Sequence, residues 1–151
     1  MPSLVRTGLP DQESTANERL AIFLDSKRAP IIHVSIRGEV SDIAFGKYLA
    51  DSNRVIAAGQ RYVLLYNMLG YSTLSPRQRQ LQAEWVKDNK CPLQRLCLGL
   101  AFVVDSAVTR GMLTAFFWMT QLPFEFTVVG QLHQGIEWVE ERLTKAGIAL
   151  P

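Results

Sequence analysis

The stretch that most constrains this fold is an apolar run, Leu98–Val104, which ends at the polar residues Asp105 and Ser106. Its length and polar boundaries are typical of a strand buried on both faces, as at the centre of a parallel sheet. A helical pattern, Ala107–Thr120, follows immediately. Because a strand buried on both faces requires helices above and below it, this run predicts an α/β fold.

The rest of the chain contains the strands and helices that such a fold requires. Two runs near its beginning, Leu20–Leu24 and Ile31–Arg37, predict a hairpin, because apolar and polar side chains alternate in the second run. The other predicted elements are a helix from Ser41 to Gly59, a strand at Tyr62–Tyr66, a helix from Ser75 that Pro92 stops, a strand at Phe124–Val129 and a helix from Leu132 to Lys145.

The order of these elements predicts the topology. Strands that alternate with helices pair in parallel through right-handed crossovers, and only the first strand of the hairpin is expected to be antiparallel. We therefore predict one domain with a mixed, mostly parallel five-stranded sheet flanked by four helices. The chain has 151 residues, which fits one domain; we expect it to span residues 18–148, after a flexible N-terminal arm at residues 1–17.

The composition argues against several classes of function. Apolar residues make up 48% and charged residues 20%, as in ordinary globular proteins, and the net charge of +2 is too balanced for a nucleic-acid-binding surface. Cys91 and Cys97 lack the spacing of a zinc or redox motif, which indicates reduced thiols in a cytoplasmic protein. We expect neither a signal peptide nor a transmembrane segment, because the apolar stretches are too short and interrupted.

The common catalytic motifs are also missing from the sequence. It contains neither a glycine-rich nucleotide-binding sequence after a strand nor a G-x-S-x-G elbow, and His33 and His133 are isolated. We therefore predict a protein without catalytic activity, cofactor or metal. The alternative is an enzyme that uses Asp105 and Arg110, which would require a cleft.

Ligands of open α/β sheets bind beyond the carboxyl ends of the parallel strands. That rule selects two stretches, Asn67–Ser75 and Asp105–Arg110, and each leads into a helix whose first N–H groups favour anions. The candidate anion-binding residues are Asn67, Ser72, Thr73, Ser75, Asp105, Ser106 and Arg110. The alternative is that the serines and Asp105 only cap the helices.

The helix at Ala107–Thr120 is apolar around most of its circumference, and Arg110 is its only charged residue. The residues predicted to face the sheet are Val108, Met112, Ala115, Phe116 and Met119. This leaves Leu113, Phe117 and Trp118 as candidate interface residues, either in a homodimer or with another protein. The alternative is that the N-terminal arm or a neighbouring helix covers them.

Several segments resemble one family. They are the strand and turn Val34–Val40, the sequence QAEW at Gln82–Trp85, the sequence FVVDS at Phe102–Ser106 and the sequence GIEW at Gly135–Trp138. Together with the order of elements, they resemble the STAS domains and the small bacterial SpoIIAA-like proteins of the STAS/SEC14-like group, over roughly residues 20–145.

This resemblance implies a cytoplasmic bacterial regulatory or protein-interaction module that has no catalytic activity and that we expect to self-associate. Antagonists of that group are switched by phosphorylation of a serine or threonine at the start of the helix after a middle strand. The corresponding stretch here is Asn67–Ser75, where Ser72, Thr73 and Ser75 are the candidates. It lacks the group's Asp-Ser-Ser/Thr-Gly sequence, since Asn67 is followed by Met-Leu-Gly.

The same resemblance implies an alternative function. SEC14-like relatives bind apolar molecules, so the chain is alternatively a carrier of a lipid or another small apolar ligand. In that case we expect four aromatic residues to line a cavity. They are Phe116, Phe117, Trp118 and Phe124.

Overall fold

The computed structural model describes residues 21–151, and for residues 69–73 the backbone alone. The arm predicted at residues 1–17 lies outside the described residues. The five strands are β1 (Ile22–Asp25), β2 (Ile31–Glu39), β3 (Tyr62–Thr73), β4 (Cys97–Val104) and β5 (Phe126–Val129). The five helices of the described part are α1 (Asp42–Ala57), α2 (Pro76–Asp88), α3 (Lys90–Leu96), α4 (Ala107–Thr120) and α5 (Leu132–Lys145).

The strands form one five-stranded sheet in the order β1-β2-β3-β4-β5. Only β1 and β2 pair in antiparallel fashion, and the other three pairs are parallel. The predicted α/β class and mixed five-stranded sheet are therefore confirmed. Because each crossover is right-handed and moves one strand along the sheet in the same direction, α1–α4 lie on one face. Helix α5, which follows the last strand, lies on the other face.

Strand β4 is buried on both faces, as its apolar run predicts, although β3 and not β4 is the middle strand. Leu100 and Phe102 point into the larger core, which the helices α1–α4 share. Ala101 and Val103 point the other way, into the smaller core beneath α5. The side chains of β4 thus link two cores.

The number of helices was predicted wrongly, since the described residues contain five and not four. Pro92 does not lie beyond a helix end but within the first turn of α3. The first N–H groups of a helix have no partner inside it, so proline is tolerated there. A separate short helix, α3, therefore connects α2 to β4.

Strand β3 is also longer than predicted, because it continues past Asn67 to Thr73. The backbones of Ser72 and Thr73 pair with Gly38 and Glu39 of β2 after a shift in register. Gly38 has a φ of 58°, a left-handed conformation that glycine adopts without strain. Most of the loop predicted at Asn67–Ser75 is therefore strand.

Buried hydroxyl and thiol groups lie between α1 and the sheet. The hydroxyls of Tyr48 and Tyr66 share a hydrogen bond, and Tyr66 stacks on Phe102 with ring centroids 4.8 Å apart. Burial raises the pKa of the Cys97 thiol to about 12, and it also raises the pKa values of Tyr48 and Tyr66. These groups stay neutral in the folded protein at pH values where an unfolded chain would ionise.

We expect this burial to make the protein less stable in alkali. Between the ordinary thiol pKa of 9.0 and about 12, the unfolded chain loses the Cys97 proton and the folded chain keeps it. The free energy of unfolding should therefore fall above pH 9, by up to about 1.4 kcal/mol per pH unit from this group. Urea titrations from pH 7 to 10.5 measure it. In Cys97→Ala the decline should begin near pH 10, where tyrosines ionise. If it began at the same pH as in the wild type, Cys97 would not be the cause of the decline above pH 9.

A second prediction concerns the packing of α5 on the sheet. A Cβ atom at Gly135 would lie 2.8 Å from Leu65 Cδ1 and 2.9 Å from Val103 Cγ2, whereas one at Gly46 in α1 would meet nothing within 4 Å. We expect Gly135→Ala to lower the free energy of unfolding by about 1–3 kcal/mol through overpacking. Gly46→Ala should raise it by up to about 1 kcal/mol, because alanine is the better helix former. Urea denaturation measures the free energy of unfolding of both variants. Equal effects would be inconsistent with the close approach of α5 to the sheet at Gly135.

Candidate functional site

A shallow depression with a volume of about 520 Å³ lies at the carboxyl ends of β4 and β5. It is lined by Asp105, Arg110, Val128, Val129, Gly130, Gln131 and Gln134. Its lining comes from the start of α4, from the end of β5 and from the turn into α5. This is the edge of the sheet at which α/β folds bind ligands.

The guanidinium group of Arg110 connects the elements around this depression. Its Nη1 atom donates hydrogen bonds to the carbonyl oxygens of Val104, at 2.9 Å, and Asp105, at 2.8 Å. A Cβ atom at Gly130 would lie only 2.9 Å from the same nitrogen. Glycine at position 130 therefore lets the guanidinium lie between the end of β4 and the turn after β5.

Two of the seven candidate anion-binding residues, Asp105 and Arg110, line this depression. Ser106 caps α4, and its Oγ accepts a hydrogen bond from the N–H of Thr109 at 3.3 Å. One nitrogen of the Arg110 guanidinium is already committed to backbone carbonyl groups. Helix capping by Ser106 and the backbone hydrogen bonds of Arg110 therefore account for most of the candidate anion-binding residues between Asp105 and Arg110.

The other candidates do not join this depression. Asn67 lies within β3, where it pairs with Ser35 and Val103, and the backbones of residues 72 and 73 continue that strand. Ser75 is exposed and caps α2, since its Oγ accepts a hydrogen bond from the N–H of Gln78 at 3.1 Å. The two predicted stretches, Asn67–Ser75 and Asp105–Arg110, therefore do not form one site.

Sequence reasoning missed the full role of Gln78, which lies in the first turn of α2 and is buried. Its Nε2 atom donates hydrogen bonds to the carbonyl oxygen of Val40, at 2.8 Å, and to Asp42 Oδ1, at 2.9 Å. Its Oε1 atom accepts one from the N–H of Ser75. The capping-box pattern identifies this residue in the sequence, but its contacts to the start of α1 depend on tertiary structure.

Helix α4 is rotated relative to the sequence prediction. Phe117 is buried in the larger core, with its ring centroid 5.3 Å from those of Phe102 and Phe126. Leu113 packs against the same core, so both residues contribute to the fold of the monomer. Of the three candidate interface residues, Trp118 alone is exposed, at 72%.

The residues predicted to face the sheet instead face outward. We call these residues, Val108, Met112, Ala115, Phe116 and Met119, the α4 apolar face. Their exposed fractions are 75% for Val108, 69% for Met112, 53% for Phe116 and 83% for Met119, and Ala115 is exposed as well. The prediction was wrong because both sides of the helix are apolar, so hydrophobicity alone could not distinguish them. The signal that could have distinguished them is Arg110, the only charged residue of the helix, whose side chain is bound to the carbonyl groups at the end of β4.

This surface differs from the other exposed apolar residues of the described part. Ile43, Leu132 and Leu150 are exposed too, but Ile43 lies on α1, Leu132 lies on α5 and Leu150 follows α5. On α4, four large side chains and Trp118 lie within one helix of 14 residues. Its one charged side chain, Arg110, points toward the carbonyl groups at the end of β4 and not outward.

Residues 21–151 contain no cluster of three or more histidine, cysteine, aspartate or glutamate residues that could hold a metal ion. Within the same range, none of the helices combines the length and the apolar character needed to cross a membrane. His33 lies on β2 opposite Asp25, and burial lowers its pKa.

Comparison of the chain with protein-family models, with curated proteins and with solved structures finds no match.

The anchoring contacts of Arg110 lead to a prediction. We expect Arg110→Met to lower the free energy of unfolding by about 2 kcal/mol, because hydrogen bonds from a charged donor typically contribute that much and the carbonyl groups lose their partner. Arg79→Met, on the exposed surface of α2, is the matched control and should change it by less than about 0.5 kcal/mol. Thermal and urea unfolding measure both. Equal stability of the two variants would mean that Arg110 does not anchor the helix.

Proposed function

We propose that this chain is a non-catalytic regulatory or protein-interaction module of STAS-like type, and that it acts through the α4 apolar face. The observation that carries the proposal is the concentration of exposed apolar side chains on one helix. Exposing such side chains to water is unfavourable, and a contiguous patch of them usually marks a binding surface.

The size of the surface supports this proposal. Aromatic side chains contribute on the order of 150–250 Å² each and valine and methionine contribute less, so exposed fractions of 53% to 83% amount to roughly 500–600 Å² over the face and Trp118. That estimate is at the upper end of the largest patches on typical monomers, which are about 300–600 Å². Methionine and aromatic residues are also enriched where proteins bind one another.

The same residues favour a protein partner over the alternative of a carrier for apolar ligands. Phe117 is packed between rings of the core, and Phe124 also packs against that core. Phe116 and Trp118 are exposed on the surface of α4. Two of the four rings therefore fill the core and two lie on the surface, whereas a carrier requires them to enclose a cavity. None of them borders the depression at the carboxyl edge of the sheet.

Site-specific photo-crosslinking in living cells tests the proposal. A photoreactive amino acid replaces Met112 in the full chain, and the matched control carries it at Ile43, which is 87% exposed on α1. We expect discrete protein adducts from position 112 and none of comparable yield from position 43. The adducts are identified by mass spectrometry.

Two results would contradict this function. Adducts to lipid or to another small apolar molecule alone would support the carrier. Equal yields from positions 112 and 43 would show that the α4 apolar face has no special affinity for proteins.

A further inference from the structure

We infer that the occupant of the α4 apolar face is the same helix of a second copy, packed antiparallel about a two-fold axis that passes between the two helices, level with the middle of α4. The inference rests on the proposed function and identifies the partner. Four observations carry it: the spacing of the face, its alternation of large and small residues, its lack of charge and its area.

The central residues of the face have the spacing of a helix–helix seam. Val108, Met112, Ala115 and Met119 follow one another at intervals of four, three and four residues. This is the alternation of a and d positions that keeps one line of side chains facing a partner helix. The seam covers α4 from its second residue to its last but one.

Alignment of two such helices about their midpoint places large residues opposite small ones. In an antiparallel pair, Met112 lies level with Ala115 of the second copy, and Val108 lies level with Met119. Large side chains then fill the space above small ones, as close packing requires.

A parallel alignment does not have this property. It would place Met112 against Met112 and Ala115 against Ala115, so that a crowded layer would alternate with an empty one. Both overpacking and unfilled space are destabilising. The order of residue sizes along the helix therefore favours the antiparallel pair.

The lack of charge on the face favours a second copy over a different protein. Arg110 is the only charged residue of α4, and its Nη1 atom is bound to the carbonyl oxygens of Val104 and Asp105. Two copies can therefore approach without like-charge repulsion. Recognition of a different partner commonly relies on complementary charges around the contact, and the α4 apolar face carries none. Interfaces between identical copies are also the more apolar class.

The area is compatible with a specific dimer. About 500–600 Å² from each copy gives a total of roughly 1,000–1,200 Å², at the lower end of specific protein interfaces. An isologous contact of this kind closes on itself and produces a dimer without larger assemblies.

The first experiment measures the mass of the full-length protein in solution. Sedimentation equilibrium over a wide concentration range compares the wild type with Met112→Glu and with the control Ile43→Glu. We expect a reversible dimer for the wild type and for Ile43→Glu, because Ile43 lies on α1, away from the seam. Met112→Glu buries a carboxylate against Ala115, so its dissociation constant should rise at least 100-fold while its circular dichroism spectrum and melting temperature stay close to those of Ile43→Glu.

The second experiment determines the direction of the helices. Single cysteines are introduced at Val108 or at Met119 in a Cys91→Ser background, because Cys91 is exposed. The antiparallel pair predicts a disulfide between the two proteins when they are mixed and mildly oxidised. It predicts little disulfide in either protein alone, because the like positions of an antiparallel pair are about 16 Å apart along the axis.

Each other outcome would overturn the inference in a defined way. Disulfides between like positions alone would show a parallel pair. A wild type that stays monomeric at all concentrations would exclude the second copy; if position 112 still crosslinks to another protein in cells, the proposed function stands and only its partner changes. A monomer without such crosslinks would overturn both.

Discussion

The burial of β4 on both of its faces is the constraint on which the rest of the structure depends. Leu100 and Phe102 point into the larger core, and Ala101 and Val103 point into the smaller one. Helices are therefore required on both sides of the sheet. On the side of α5, the helix approaches so closely that position 135 has no room for a Cβ atom. A single strand thus couples the packing of α5 to the packing of the helices on the opposite face.

The orientation of α4 follows from the end of that strand. The carbonyl oxygens of Val104, the last residue of β4, and of Asp105 accept hydrogen bonds from Arg110. These hydrogen bonds set the rotation of α4 about its axis. Phe117, two turns later on the same side, enters the core between Phe102 and Phe126. Once these two side chains point inward, the remaining apolar residues have to point outward. The candidate interaction surface is therefore a consequence of how the helix is anchored.

Much of the fold could be predicted because its signals are local. The alternation in β2, the capping box at Ser75 and the cap at Ser106 each arise within a few residues, and each appears in the structure. The failures concern positions where a distant partner decides the outcome. The pairing of β3 with Gly38 and Glu39 extends it beyond Asn67, and α3 begins where Pro92 can occupy a first turn. At the carboxyl edge, Asp105 and Arg110 were identified, but their separation from the stretch around Ser75 depends on tertiary structure.

The sequence by itself determined the α/β class, the hairpin with its antiparallel strand and the parallel order around β4, because hydrophobic period and chain order restrict these features strongly. It also determined that the helix after β4 carries more apolar side chains than one core can cover. Only the tertiary structure decided which of them are covered. Both faces of α4 are apolar, so burial energy alone hardly discriminates between the two rotations. The hydrogen bonds of Arg110 and the space that receives Phe117 make that choice, and they exist only after β4 and β5 lie side by side.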